Sequence, residues 1–187
     1  MLDYFKDKSV CVVANTLIEE DLNVLVDSHD IVIRFNNPYL YNKGSKVNVI
    51  ASSLFKNISF PTLFSYQNVD YYLATVLDVS QPSNCYYSPR NIKESLNLGL
   101  MTQQQFDKFK YPLTNDEILE IEKNLMFTPS SGIYILYWLI KKIDFKSLSV
   151  VGFSFIGRTW THSFEKEGLY VKSLLDASDK KVEFYPK

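Results

Sequence analysis

The feature that most constrains the fold of this chain is a two-part motif that recurs along it: a short β-branched run, ended at once by asparagine or serine. Ser9 to Ala14 (Ser-Val-Cys-Val-Val-Ala) stops at Asn15-Thr16, Asp30 to Phe35 (Asp-Ile-Val-Ile-Arg-Phe) stops at Asn36-Asn37-Pro38, and Val47 to Ala51 stops at Ser52-Ser53. Short runs that stay apolar instead of alternating are the pattern of strands buried on both faces. Tyr71 to Leu77, Leu148 to Phe155 and Lys181 to Tyr185 continue the series. Between the runs lie stretches with helical spacing: Glu19 to Val26, Met101 to Lys110, Asp116 to Met126, Ile133 to Ile143 and Glu165 to Leu175. Strands alternating with helices predict an α/β fold of Rossmann-like type, a mainly parallel sheet flanked by helices.

Sheets of this kind bind ligands beyond the carboxyl ends of their strands. Here those ends are Asn15-Thr16, Asn36-Asn37, Ser52-Ser53 and Phe153 to Gly157, rich in Asn and Ser and poor in Gly. Neither G-x-G-x-x-G nor G-x-x-x-x-G-K-[ST] follows the first strand, which argues against a dinucleotide enzyme and a P-loop NTPase. Twenty basic and 21 acidic residues give a net charge of −1, without the basic surplus that nucleic-acid binding calls for. Cys11 and Cys85 are the two cysteines, too few for a disulfide framework or a cysteine-built zinc site. The carboxylates are scattered and no D-x-D stands at a strand end, so no metal is expected. Gly152-Phe153-Ser154-Phe155-Ile156 lacks the second glycine of a serine-hydrolase elbow. The longest apolar run, Ile133 to Ile140, is far short of the roughly 20 residues a membrane helix needs. Met1 to Lys8 has no secretory pattern. The expectation is a soluble protein of the reducing cytoplasm, and 187 residues make one domain, 1–187.

Three constellations stand out as candidates for chemistry. Asn15 and Asn36 each follow a core strand; two neutral amides facing one crevice can hydrogen-bond a base, a ribose or a phosphate, and asparagine there also serves as ordinary turn chemistry. Pro129-Ser130-Ser131-Gly132 opens an apolar helix, where exposed N–H groups and two hydroxyls suit an anion and Gly132 permits close backbone approach. Helix capping would use the same residues. His162, in the loop after the Leu148 to Phe155 strand with Glu165 and Glu167 nearby, can take a proton from a hydroxyl, or can be a plain surface histidine. His29, inside Asp27-Ser28-His29-Asp30, reads as a turn or capping residue.

Taken together, these segments resemble the sialyltransferases. Ser9 to Asn15 followed by Asp27-Ser28-His29-Asp30-Ile31-Val32-Ile33-Arg34-Phe35-Asn36 looks like the family's large motif, Thr128 to Phe155 like its small motif, and His162 with Glu167 like its very short motif. The match is best to the animal-type enzymes, while the compact length is closer to bacterial sialyltransferases of the Campylobacter type. The motifs cover roughly residues 9–55 and 128–167. The resemblance implies a Rossmann-like, GT-A-like variant fold. The implied reaction transfers sialic acid from CMP-sialic acid to a glycan hydroxyl, with inversion and without metal or other cofactor. A Kdo-like CMP-activated sugar and a nucleotide-binding module that lost turnover are the alternatives. It implies donor-nucleotide binding by Asn15, Asn36, Ser130, Ser131 and Gly132, and general-base catalysis by His162. Glu167 would orient the base. Ala14 stands where the large motif has glycine, and Cys11 lacks its small-motif partner, so no disulfide is expected. Where the bacterial relatives carry a phosphate-binding tyrosine pair, this chain has Ile156-Gly157-Arg158-Thr159-Trp160, so Arg158, or Tyr86 and Tyr87, would hold the leaving phosphate. Residues around 80–127, including the Pro-rich loop Ser80 to Arg90, would form a lid or acceptor-site insertion.

Overall fold

The computed structural model describes residues 1–36, 38, 40–52, 68–75, 92–93, 96–157 and 162–186. Among these, the strands are β1 (Ser9–Val13), β2 (Ile31–Phe35), β3 (Val49–Ser52), β4 (Tyr71–Ala74), β5 (Phe109–Lys110), β6 (Ser147–Val151) and β7 (Val182–Tyr185). They form one sheet in the order β5-β4-β3-β2-β1-β6-β7, and every pairing is parallel. The helices are α1 (Leu2–Phe5), α2 (Asn23–Asp27), α3 (Gln103–Asp107), α4 (Asn115–Leu125), α5 (Ser131–Lys142) and α6 (Phe164–Asp176).

The pleat sends alternate side chains to opposite faces, and both faces are covered. Val10, Val12, Ile31, Ile33 and Phe35 join Val49, Ala51 and Leu73 under α4, α5 and α6, whereas Cys11, Val13, Val32 and Val151 face Ile18, Leu22 and Val26. Helix α5 is buried nearly all round, from Ile133 through Trp138 to Ile140, which explains why its apolar residues show no single stripe. Helix α4 starts at a capping box in which Thr114 accepts from the Glu117 N–H and the Glu117 side chain accepts from the Thr114 N–H.

Several expected boundaries shift, each for a tertiary reason. The helix expected at Glu19 starts only at Asn23, because Asn42 reaches across: its Nδ2 donates to Ile18 O and Glu19 O, and its carbonyl accepts from the Leu22 N–H. The helix expected over Met101 to Lys110 ends at Asp107, and Phe109–Lys110 pairs with β4 as the sheet edge. The strand expected from Val47 begins at Val49, and the one expected to reach Leu77 ends at Ala74. The strand expected to reach Phe155 ends at Val151, where Gly152 turns the chain with φ +77°. Of the expected insertion, residues 80–91 lie outside the described residues, while α4 places Ile118, Ile121 and Leu125 in the main core. Cys85, Tyr86, Tyr87 and Arg158 are also outside the described residues. Among those described, no helix is long and apolar enough to cross a membrane.

The chain runs outward from β1 through β2, β3 and β4 to β5, then returns to the other side of β1 for β6 and β7. The switch of direction falls between β1 and β6, which is where a doubly wound sheet opens a crevice.

Candidate active site

A cavity of about 390 Å³ opens at this crevice. Its floor is the carboxyl ends of four strands: Ala14, Asn15 and Thr16 after β1, Phe35 and Asn36 at β2, Thr75 after β4, and Gly152 to Phe155 after β6. Its walls are Thr128 to Gly132 and Tyr134 at the start of α5, Ile118 and Glu122 of α4, and His162, Phe164 and Glu167 around the start of α6. Asn15, Asn36, Ser130, Ser131, Gly132, His162 and Glu167, scattered over 150 residues of sequence, therefore meet around one space.

Both asparagines also do structural work. Asn15 Nδ2 donates to Phe35 O at 3.0 Å, which ties the end of β1 to the end of β2. Asn36 sits at φ +53°, a conformation asparagine tolerates better than most residues, and its Oδ1 accepts from Ser52 Oγ at 2.6 Å. The turn reading holds at both positions, and the turn places each asparagine at the rim of the cavity.

Behind this floor stand two buried cations. Lys43 is fully buried, and its Nζ donates to Ala14 O (2.8 Å) and Thr16 O (2.9 Å), clamping the loop that carries Asn15. Burial, with Arg34 nearby, holds the Lys43 ammonium down to about 8. Arg34 is itself spent on backbone: Nε donates to Lys46 O, and Nη2 to Lys43 O and Gly44 O. Nothing in the local sequence marks Lys43 as buried; only the partners it meets across the fold do.

At the start of α5 the capping reading fails. Ser130 is the N-cap residue, yet its side chain accepts no helix N–H. Instead its N–H and its hydroxyl both donate to the Glu167 carboxylate, each at 2.8 Å. Glu167 is 1% exposed and belongs to α6, so one carboxylate joins the first turns of two helices, where helix dipoles favour negative charge. The role of Gly132 differs from the expected one. A Cβ there would lie 2.5 Å from Phe153 Cε1, so glycine is required by the ring packed on it. Gly168 makes the same allowance for Phe155, a pairing that sequence reasoning missed.

His162 is held from its Nδ1, 3.1 Å from Thr128 O. Facing a carbonyl, Nδ1 must donate, so the neutral ring carries its lone pair on Nε2. Glu167 Oε1 is 3.9 Å from the same nitrogen, within ion-pairing range but not hydrogen-bonded to it. The ring's hydrogen bond thus goes to the Thr128 carbonyl, a backbone group no motif could reveal. His29 lies away from this cavity, buried between Leu25 O and Ser149 Oγ, as a structural residue. Among the described residues, no three His, Cys, Asp or Glu side chains cluster as a metal site. Cys11 is a buried free thiol, pushed up to about 12 by burial.

Two comparisons by sequence found nothing: no protein-family model and no curated protein matches this chain. Comparison of folds did. The chain is similar to the crystal structure of a mammalian sialyltransferase, with a TM-score of 0.66 at 16% identity, over 96% of this chain and 69% of the other. It is similar also to the structure of a mammalian sialyltransferase in complex with Gal-β1-3GalNAc-ortho-nitrophenol, with a TM-score of 0.65 at 17% identity and the same coverage. The seven-stranded parallel sheet of this chain is thus the fold of those sialyltransferases.

Proposed function

We propose that this protein is a glycosyltransferase that transfers sialic acid from CMP-sialic acid to a glycan hydroxyl, inverting the anomeric centre without a metal. One observation carries the reading. On a sialyltransferase fold, every described residue to which the motif resemblance gives a donor-binding or catalytic role lines the same cavity at the switch point of the sheet. In this reading Asn15 and Asn36 hold the nucleotide at the carboxyl ends of β1 and β2. The N–H groups of Ser131 and Gly132, at the positive end of α5, face the donor's anionic groups. His162 is the general base: Nε2 takes the proton of the acceptor hydroxyl as that oxygen attacks the anomeric carbon and CMP departs. Because the transition state is oxocarbenium-like, alignment of the acceptor and stabilisation of the leaving phosphate supply most of the rate. Arg158, or Tyr86 and Tyr87, all outside the described residues, belong to the same proposal as the groups that hold the leaving phosphate.

Calorimetric titration with CMP, CDP, UDP and ADP in EDTA tests the donor class. CMP should bind and raise the melting temperature, by the equivalent of about 2.7 kcal/mol at a hundredfold excess over its dissociation constant. Unchanged melting in saturating CMP would remove the assignment. Transfer assayed with CMP-sialic acid and a galactosyl acceptor then separates an active enzyme from a binding module, and CMP-Kdo in the same assay separates the two sugar classes.

A further inference from the structure

Thr75 is 3% exposed and lines the cavity, and its Oγ1 is, among the described residues, the one buried side-chain polar atom without a hydrogen-bond partner. Its N–H is satisfied by Ser52 O at 3.1 Å, so the backbone continues the β4 ladder by one residue. It stands two residues beyond Leu73, hence on the same face of the sheet, the one that carries α4, α5 and α6. A buried hydroxyl with no partner destabilises a fold relative to an isosteric valine, so folding alone gives no reason for threonine here. A ligand in the cavity does.

The surroundings say what kind of ligand group. Glu122 and Ile118 of α4 line the same cavity, and Tyr134, buried, donates its hydroxyl to Glu122 Oε1 at 2.8 Å. No Lys or Arg is among the described residues that line the cavity. A carboxylate and a neutral hydroxyl lining one cavity disfavour an anion near the carboxylate and offer hydrogen bonds to hydroxyl or amide groups. The end of β4 lies four strand steps from the end of β6, roughly 19 Å at about 4.8 Å per step. The nucleotide belongs at the switch point between β1 and β6, so the β4 side is left for the sugar.

We infer that Thr75 and Glu122 bind the neutral, hydroxyl-bearing tail of the transferred sugar and select among CMP-activated acidic sugars by it. The inference rests on the donor reading above, and it favours a sugar acid with a long polyhydroxy or acylamino side chain over a shorter one.

The test compares CMP with a non-hydrolysable CMP-sialic acid analogue, such as the 3-fluoro derivative, by calorimetry on wild type, Thr75→Val and Thr75→Ser, with melting curves for each. Thr75→Val should bind CMP as wild type does, bind the sugar-bearing analogue about three- to tenfold more weakly, and melt no lower than wild type. Thr75→Ser keeps the hydroxyl and should keep the wild-type ratio of the two affinities. An unchanged ratio in Thr75→Val overturns the assignment, as does an equal loss for both ligands. Wild-type binding of CMP with no gain from the sugar overturns the inference alone; absence of CMP binding overturns the donor reading and the inference with it.

Discussion

Replacing Glu167 by alanine should unfasten α5 from α6, and the structure sets the size of the effect. The Glu167 carboxylate accepts two hydrogen bonds from Ser130, one from its N–H and one from its hydroxyl, both at 2.8 Å, and the residue is 1% exposed. Hydrogen bonds to a charged group contribute about 1.5–3 kcal/mol each, so the gross loss is roughly 3–6 kcal/mol. Part of this returns, because the freed Ser130 hydroxyl can rotate to cap an N–H of α5, an arrangement typically worth about 1 kcal/mol. Water from the cavity can also reach the rim. The net expectation is a destabilisation of about 2–4 kcal/mol, which for a chain of this size lowers the melting temperature by roughly 5–15 °C. Glu167→Gln keeps one acceptor oxygen and should cost about 1 kcal/mol. Urea unfolding of wild type, Glu167→Ala, Ser130→Ala and the double variant, without nucleotide, measures both the loss and the coupling. The coupling should be about 1–2 kcal/mol, since Ser130→Ala removes the hydroxyl's bond to Glu167 and keeps that of the N–H. A Glu167→Ala protein within 0.5 kcal/mol of wild type, or a cycle that adds without coupling, would show that the carboxylate does not hold the start of α5.

Two further outcomes are expected. His162→Ala should lower sialyl transfer by about 10²–10⁴-fold while CMP affinity, read by calorimetry, stays within twofold, because the base faces the acceptor hydroxyl and not the nucleotide; wild-type turnover in the variant would place the base elsewhere. Lys43, held down to about 8 from 10.5 by burial and Arg34, sheds its proton in the fold before it does in the unfolded chain. Between those two values the unfolded state binds the extra proton, so stability should rise with pH across that window, by on the order of 1–3 kcal/mol. Melting curves of wild type and Lys43→Met between pH 7.5 and 10 test this, and equal slopes for the two proteins would refute it.

The site was legible in the sequence to the extent that it depends on strand ends. A strand's carboxyl end is a local property, so the residues following β1, β2 and β6 could be identified as facing the crevice before any tertiary contact was known. Asn15 and Asn36 line the cavity for that reason, and Ser130, Ser131 and Gly132 line it from the start of α5, which the Pro-Ser-Ser-Gly pattern marked as a helix start. Where the reading went astray, a distant partner decided the matter. Glu167, besides lying within ion-pairing range of His162, bonds Ser130, 37 residues away, and the Thr128 carbonyl accepts the ring's hydrogen bond. Gly132 makes room for Phe153, a need no local pattern shows, and Asn42 delays α2 by taking carbonyls a helix would have used.

The sequence by itself determined the alternation of strand and helix, hence a parallel sheet with both faces covered, because side-chain periodicity and β-branching act over a few residues and survive any tertiary context that buries them. Only the tertiary structure decided which polar groups would be satisfied and by what. Lys43 becomes a buried clamp because Ala14 O and Thr16 O meet it from 29 and 27 positions away. Thr75 becomes a candidate for sugar recognition because, among the described residues, none meets its hydroxyl. Hydrogen-bond satisfaction is a property of the assembled neighbourhood, set by groups far apart in the chain, and no local pattern encodes it.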